Sequence, residues 1–358
     1  MKTFITISVI LVLSLNIFAN NWQKISLPDD TISFAKEKEG FPAKKIWAGT
    51  KSGQLFSSLK GKNSWETVNV KMENGIDEIA IFNQMIILGS HHKSNNNSTL
   101  LLLSSDRGRS WSRIDQGITS DWPDFARGTV QSISIDASRI FIVLSDFRPQ
   151  HPSSKCYRSD NGGTSWSLVH QTFDDHSINV VTTDQNGDVL LGTSKGVLRS
   201  KTGYGDWKNL NVGFSNVPQI RLLSNNNITG ERFTGTSSGI FKSYQETPQF
   251  PKGSDWKSVS SHKSQRSIVG LHLIHNFSTS TAVMGTHERS GMGGTFFSDS
   301  HVFVTMDSHN PKWVEVALGS LAKKPLNNII TDGRHVIIAT SEGVFKSTKS
   351  IFEFWHNP

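Results

Sequence analysis

The residues best equipped for chemistry fall in one stretch, Asp121-Trp122-Pro123-Asp124-Phe125-Ala126-Arg127, and two shorter ones, Asp146-Phe147-Arg148 with His151, and Asp174-Asp175-His176. An indole can stack on the apolar face of a pyranose ring, while carboxylate, guanidinium and imidazole groups bond the sugar hydroxyls. His91-His92, Arg266 and His287-Glu288-Arg289 add polar groups further along. Trp122, Arg127, Asp146, Arg148, His151, His176, Glu288 and Arg289 are therefore the candidate ligand-binding residues. The same stretches allow a hydrolytic alternative, in which Asp121 or Asp124 faces Asp174 or Asp175 as acid and base. Glycosidase carboxyls of that kind stand roughly 5–10 Å apart. On the leading reading, which is binding, no residue has a catalytic role.

Other chemistries find less support. His272 and His275 are three apart on an expected strand and so face opposite sides, as do the adjacent His91 and His92. No metal site is expected, because no ligand spacing is present. Gly291-Met292-Gly293-Gly294 lacks the Lys-Ser/Thr and the following helix of a phosphate loop, so no cofactor is expected. The formal net charge is +7, but the basic residues are scattered apart from pairs such as Lys44-Lys45 and Lys323-Lys324. That suits a solvated surface with a mild leaning to anionic polysaccharide, and nucleic acid is a poor fit.

The elements that must hold these residues repeat. Ser104-Ser105-Asp106-Arg107-Gly108-Arg109-Ser110-Trp111 and Ser159-Asp160-Asn161-Gly162-Gly163-Thr164-Ser165-Trp166 share the pattern Ser-x-[Asp/Asn]-x-Gly-x-Ser-Trp. Short polar side chains bond their own backbone, glycine admits positive φ, and tryptophan supplies a large face to bury. The pattern is that of a turn between strands, and its acidic position is structural, since Asn161 cannot exchange a proton. Eight of the ten tryptophans, Trp22, Trp65, Trp111, Trp166, Trp207, Trp256, Trp313 and Trp355, recur at intervals of 41 to 57 residues. Each interval suits four short strands. Ahead of the tryptophan runs a second signature, Gly49-Thr50-Lys51-Ser52-Gly53, echoed at Gly192–Gly196, Gly235–Gly239 and, with alanine first, Ala339–Gly343. The remaining tryptophan turns are degraded: Ser58–Trp65 carries lysine and Ser200–Trp207 threonine at the acidic position, and the last three have altered spacing.

The two intact motifs, with Ser104, Asp106, Gly108 and Trp111 in one and Ser159, Asn161, Gly163 and Trp166 in the other, resemble the Asp-box or BNR repeat of sialidase-like and sortilin-like propellers. The resemblance implies an all-β fold, a seven-bladed β-propeller of four-stranded blades, with ligands approaching the face opposite the boxes. Trp22–Leu27 has the pattern of a fourth strand with no hairpin before it and is expected to close the ring. The resemblance covers the scaffold only. The sialidase Phe/Tyr-Arg-Ile-Pro motif is missing, its nearest match being Gly40-Phe41-Pro42-Ala43, and Tyr157, Tyr204 and Tyr244 fall in or beside box hairpins. An arginine trio would have to come from Arg148, Arg266 and Arg289. Xyloglucan-degrading endoglucanases with similar propellers generally carry two of them, and photosystem II assembly factors use such propellers as scaffolds.

Met1-Lys2, the apolar run Phe4–Leu15 and Asn16-Ile17-Phe18-Ala19 read as a secretory signal, with cleavage expected after Ala19. Residues 1–19 are thus the signal and 20–358 a single propeller, secreted or periplasmic, with no later stretch of membrane-spanning length. Cys156 stands alone, which excludes an intramolecular disulfide and favours a bacterial exported protein. The expected partner is a glycan or a protein, bound by a monomer without enzymatic activity.

Overall fold

The computed structural model describes residues 21–36, 45–60, 62–91, 98–118, 128–146, 153–173, 176–184, 186–225, 230–245, 255–259, 267–275, 280–292, 295–306 and 312–356. Within these, residues 36, 267, 269–283 and 287–299 are described by backbone alone. The β-branched runs split by Asn, Asp and Gly pair into seven four-stranded antiparallel sheets. Six follow chain order: blades 1 to 6 span 31–71, 78–113, 128–173, 178–209, 220–258 and 267–316. Blade 7 takes three strands from 326–347 and its outer one from Trp22–Lys24, where Trp22 pairs with Ser347 and Lys24 with Phe345. The first strand of every blade packs against the first strand of the next, all the way round, so these strands line the axis.

The Gly-Thr-x-x-Gly signature has a packing reason. A Cβ on Gly49 would lie 2.6 Å from the Ile76 side chain, on Gly89 2.6 Å from Val130, on Gly192 2.5 Å from Ile220, and on Gly285 2.6 Å from Leu326. Each glycine is a hole in the second strand of one blade that receives an apolar side chain from the start of the next blade. The threonine then pins the turn: the Thr193 hydroxyl donates to Gly196 O (2.9 Å) and accepts from Lys195 N (3.0 Å), and Thr236 and Thr340 repeat the arrangement. The closing glycine sits at positive φ, 99° at Gly196 and 120° at Gly343. In six blades the first strand bulges at the same point, between Thr31 and Ser33 in blade 1 and between Ile178 and Val180 in blade 4. Such bulges add twist, which strands crowded round an axis require.

On the other face, serine and the acidic residue build the expected turns. The Ser104 hydroxyl accepts from Gly108 N (2.7 Å), while Asp106 Oδ1 accepts from Arg109 N (3.0 Å) and Ser110 N (2.9 Å). Hydrogen bonds from the Ser110 hydroxyl and backbone, then from Ser104, hold the Asp106 carboxyl far below the usual range. In the twin, Asn161 Oδ1 accepts from Ser165 N (2.9 Å) and Asn161 Nδ2 donates to Ser165 Oγ (2.8 Å), so the bond between side chains runs the other way. The turn with threonine at the acidic position recovers its carboxylate from Asp206, just before Trp207. Asp206 accepts from Ser200, from Thr202 (2.8 Å) and from Lys201 N (3.0 Å), and the Ser200 bond leads in lowering it to about 2.

Five indoles tie their blade to the previous one. Trp166 Nε1 donates to Ile114 O (2.7 Å), Trp207 to Val169 O (3.0 Å), Trp256 to Leu210 O (2.7 Å), Trp313 to Val259 O (2.9 Å) and Trp22 to Ala317 O (2.9 Å). Trp355 departs from the expected series. It lies in a short helix, α1 (Ile351–His356), whose Ile351 and Phe354 are buried in the cluster that also holds Trp22. Ser350 and Glu353 cap that helix reciprocally, Ser350 N donating to Glu353 Oε2 (2.7 Å) and Glu353 N to Ser350 Oγ (3.2 Å). Cys156 is fully buried beside Val143 and Val169, and burial pushes its thiol far up, which makes it an inert filler. Among the described residues no helix is long and apolar enough to cross a membrane.

Candidate functional site

Because strands alternate, the loops joining blades and the loops between second and third strands share one face, here the upper one; the boxes lie on the lower. Two sequence candidates lie among the residues described with side chains, and both are on the upper face. Asp146 ends the second strand of blade 3, where it pairs with Gly128 and is buried. His176 precedes blade 4, half-buried, with Lys195 Nζ 3.4 Å from its Nδ1 and its carbonyl accepting from Thr172 Oγ1 (3.2 Å). Glu288 and Arg289 stand in the second strand of blade 6, opposite Asp299 and Ser298. Trp122, Arg127, Arg148, His151, Asp121, Asp124, Asp174 and Asp175 lie outside the described residues.

The seam between blades 2 and 3 joins His91, one of the polar groups named from the sequence, to Asp77, which the sequence reading passed over. Asp77 Oδ2 and His91 Nδ1 share a hydrogen bond of 2.6 Å. His91 bridges to Thr129 and Val130 N donates to Ser90 O (3.0 Å), so the second strand of blade 2 runs on to meet the first strand of blade 3. Thr129 is the neighbour of Gly128, which pairs with Asp146. The backbone at Gly128 and Thr129 thus pairs with Asp146 on one side and with His91, the partner of Asp77, on the other.

Burial raises the Asp77 carboxyl, and the His91 hydrogen bond and charge, with Lys51 beyond, pull it partly back. Its neighbour Glu78 goes further: loss of solvent, then the Asp77 charge, push it up to about 8. Glu78 is half-buried by surface area yet closely surrounded by protein, and the close surroundings decide the shift because they replace its water. At neutral pH Glu78 therefore keeps its proton and can donate. Glu78 stands opposite Gly89, the register position at which Ser33, opposite Gly49, donates to Ile76 O (2.6 Å) and Asn328, opposite Ala339, donates to Ile32 O (3.2 Å). Two adjacent acidic residues at the start of a first strand were the available signal, and nothing in the sequence shows that burial raises them. Among the described residues, no three His, Cys, Asp or Glu side chains gather as a metal-binding group.

No protein-family model matches the sequence, and no curated protein does. Solved structures do match in fold. Two crystal structures of the extracellular domain of BT4673 from B. thetaiotaomicron, described as a hybrid two-component and as a one-component system, superpose with a TM-score of 0.59 at 15% and 16% identity. They cover 92% of this chain, which spans only 40% of that domain. A computationally designed protein, Ika8, matches 90% of this chain and 98% of its own at a TM-score of 0.53 and 11% identity. The chain is a seven-bladed β-propeller, similar in fold to an extracellular domain of a bacterial signalling protein.

Proposed function

We propose that this propeller is an exported binding module of the Asp-box type that takes a glycan on its upper face, at the seam of blades 2 and 3. The observation that carries the reading is the Asp77–His91 hydrogen bond of 2.6 Å at this seam, next to Glu78, with both carboxyls raised by burial. Perturbed titratable groups concentrate where ligands bind. In the sequence Trp122 and Arg127 shortly precede Gly128, and Arg148 and His151 shortly follow Asp146. His176, Glu288 and Arg289 remain candidates for further contacts on the same reading. Export after cleavage at Ala19 agrees with the extracellular setting of the BT4673 domain.

A glycan array on the mature protein tests this, repeated with Trp122→Ala and with Asp77→Asn. Hits lost in both variants, with melting unchanged, are the expected result. A blank array with capture of a protein ligand instead would overturn the glycan. A hydrolytic reading has one observation on its side, the Glu78 carboxyl raised to about 8 next to Asp77. Turnover of chromogenic glycosides that disappears in Glu78→Gln, Asp121→Asn or Asp174→Asn would replace binding by catalysis.

A further inference from the structure

Three Asn-Gly pairs occur in the chain: Asn74-Gly75, Asn161-Gly162 and Asn186-Gly187. In each, the glycine nitrogen is next in the chain to a carboxamide carbon, with no side chain to shield it. The fold treats the three differently. Asn74 is buried, and Gly187 N donates to Asp184 O (3.0 Å). Asn161 is exposed, and among the described residues Gly162 N has no hydrogen-bond partner. A Cβ built on Gly162 would meet nothing within 4 Å. At the same position of the twin turn the nitrogen is tied, Arg107 N donating to Gln84 O (3.0 Å).

The turn also holds the Asn161 carboxamide as a reacting group would be held. Its Oδ1 accepts from the Ser159 hydroxyl (3.0 Å) and from Ser165 N (2.9 Å), and its Nδ2 lies 2.8 Å from Ser165 Oγ. Two donors on the carbonyl oxygen are placed to stabilise negative charge that develops there. A hydroxyl on the amide nitrogen is placed to pass a proton to it. In the twin the same frame already holds the acid: Asp106 accepts from the Ser104 hydroxyl (2.8 Å), Ser110 N (2.9 Å) and the Ser110 hydroxyl (2.6 Å).

We propose that Asn161-Gly162 is a self-modification site, at which the second box deamidates and becomes an acidic box like the first. Gly162 N bonds to Asn161 Cγ as the carbonyl π pair moves onto Oδ1, under the Ser159 O–H and the Ser165 N–H. The proton on Gly162 N leaves to water. Nδ2 takes a proton from Ser165 Oγ, which water restores, and the Cγ–Nδ2 bond breaks to release ammonia. Water then opens the cyclic imide, at Cγ to give aspartate or at the main-chain carbonyl to give isoaspartate, with no oxidation or reduction. Aspartate alone regenerates the main chain of the turn, because isoaspartate routes it through the side-chain carbon. Each event adds a negative charge to the box face, away from the upper-face seam and independent of it.

Ageing the mature protein in mildly alkaline buffer, folded and in urea, with peptide mapping by mass spectrometry, tests the assignment. In urea all three asparagines should convert. In the folded protein Asn161 should convert at least as fast as in urea, while Asn74 and Asn186 remain amides. Ser165→Ala keeps the backbone donor and removes the proton source, and should slow conversion at least about tenfold. Gly162→Arg copies the twin, where Arg107 holds a φ of 63° against 68° at Gly162. A side chain beside the attacking nitrogen should slow conversion at least about tenfold as well. Asn161→Asp should elute from a cation exchanger with the aged protein and melt no lower than the starting one. The assignment is overturned if Asn161 stays an amide in the folded protein while converting in urea, or if Asn186 keeps pace with it. Conversion of either variant at the original rate or faster, or a lower melt in Asn161→Asp, would overturn it too.

Discussion

Replacing Glu78 by glutamine isolates the cost of holding a carboxyl at the start of the first strand of blade 2. Folding raises this group from about 4.5 to about 8. Between those values the native state keeps the proton and the unfolded chain releases it. The carboxyl's contribution to stability is therefore full at and below about pH 4.5 and is lost as pH climbs to about 8. At about 1.4 kcal/mol per unit the undiscounted loss approaches 5 kcal/mol, and because Glu78 is half-buried we expect about 1–3 kcal/mol. Glutamine keeps the shape and the donor and cannot ionise. Urea unfolding followed by tryptophan fluorescence should find the two proteins equally stable near pH 4.5 and the variant ahead by that amount near pH 8. Other titrating groups, Asp77 included, are common to both proteins and largely cancel in the difference. A gap that does not change with pH, or a variant that is the weaker at pH 8, would refute the reasoning.

Gly192→Ala forces a methyl to 2.5 Å from Ile220 and Val180 and should cost about 1–3 kcal/mol in urea unfolding, with Ile220→Val partly rescuing it. Trp166→Phe removes a made hydrogen bond and Trp111→Phe removes an unmade one, so the first should lower stability by about 1 kcal/mol more than the second in the same assay. Deleting residues 21–27 takes Trp22, Ile25 and Leu27 out of the core. At roughly 1.5–3 kcal/mol each this consumes much of a typical stability, and a calorimetric melt should fall steeply or vanish.

Blade architecture was legible because its determinants are local and repeated. The Gly-Thr-x-x-Gly run shows in sequence because only glycine leaves the hole that Ile76 or Ile220 fills, and the tryptophans show because each latch needs an indole. The closing strand was legible from Trp22 standing without a hairpin. Trp355 fits the repeat spacing without starting a strand, and spacing alone does not show that it lies in a helix packed on the same cluster as Trp22. The carboxylate of the third box escaped because Asp206 reaches the turn from the wrong end of the motif, and Thr202 in the expected place drew attention from it. The site was harder. What raises Asp77 and Glu78 is the burial they meet after folding, which composition does not encode.

The strand that completes blade 7 is made first and its partners last. Trp22 must wait for Ala317 and Ser347, 295 residues and more along the chain. Until they arrive, a growing chain carries an apolar ribbon with nowhere to lie and six blades with an open flank, the condition in which neighbouring chains exchange strands. Closure of this ring therefore waits until blades 6 and 7 have been made, and a factor that shields the leading segment until then should raise the yield of folded protein.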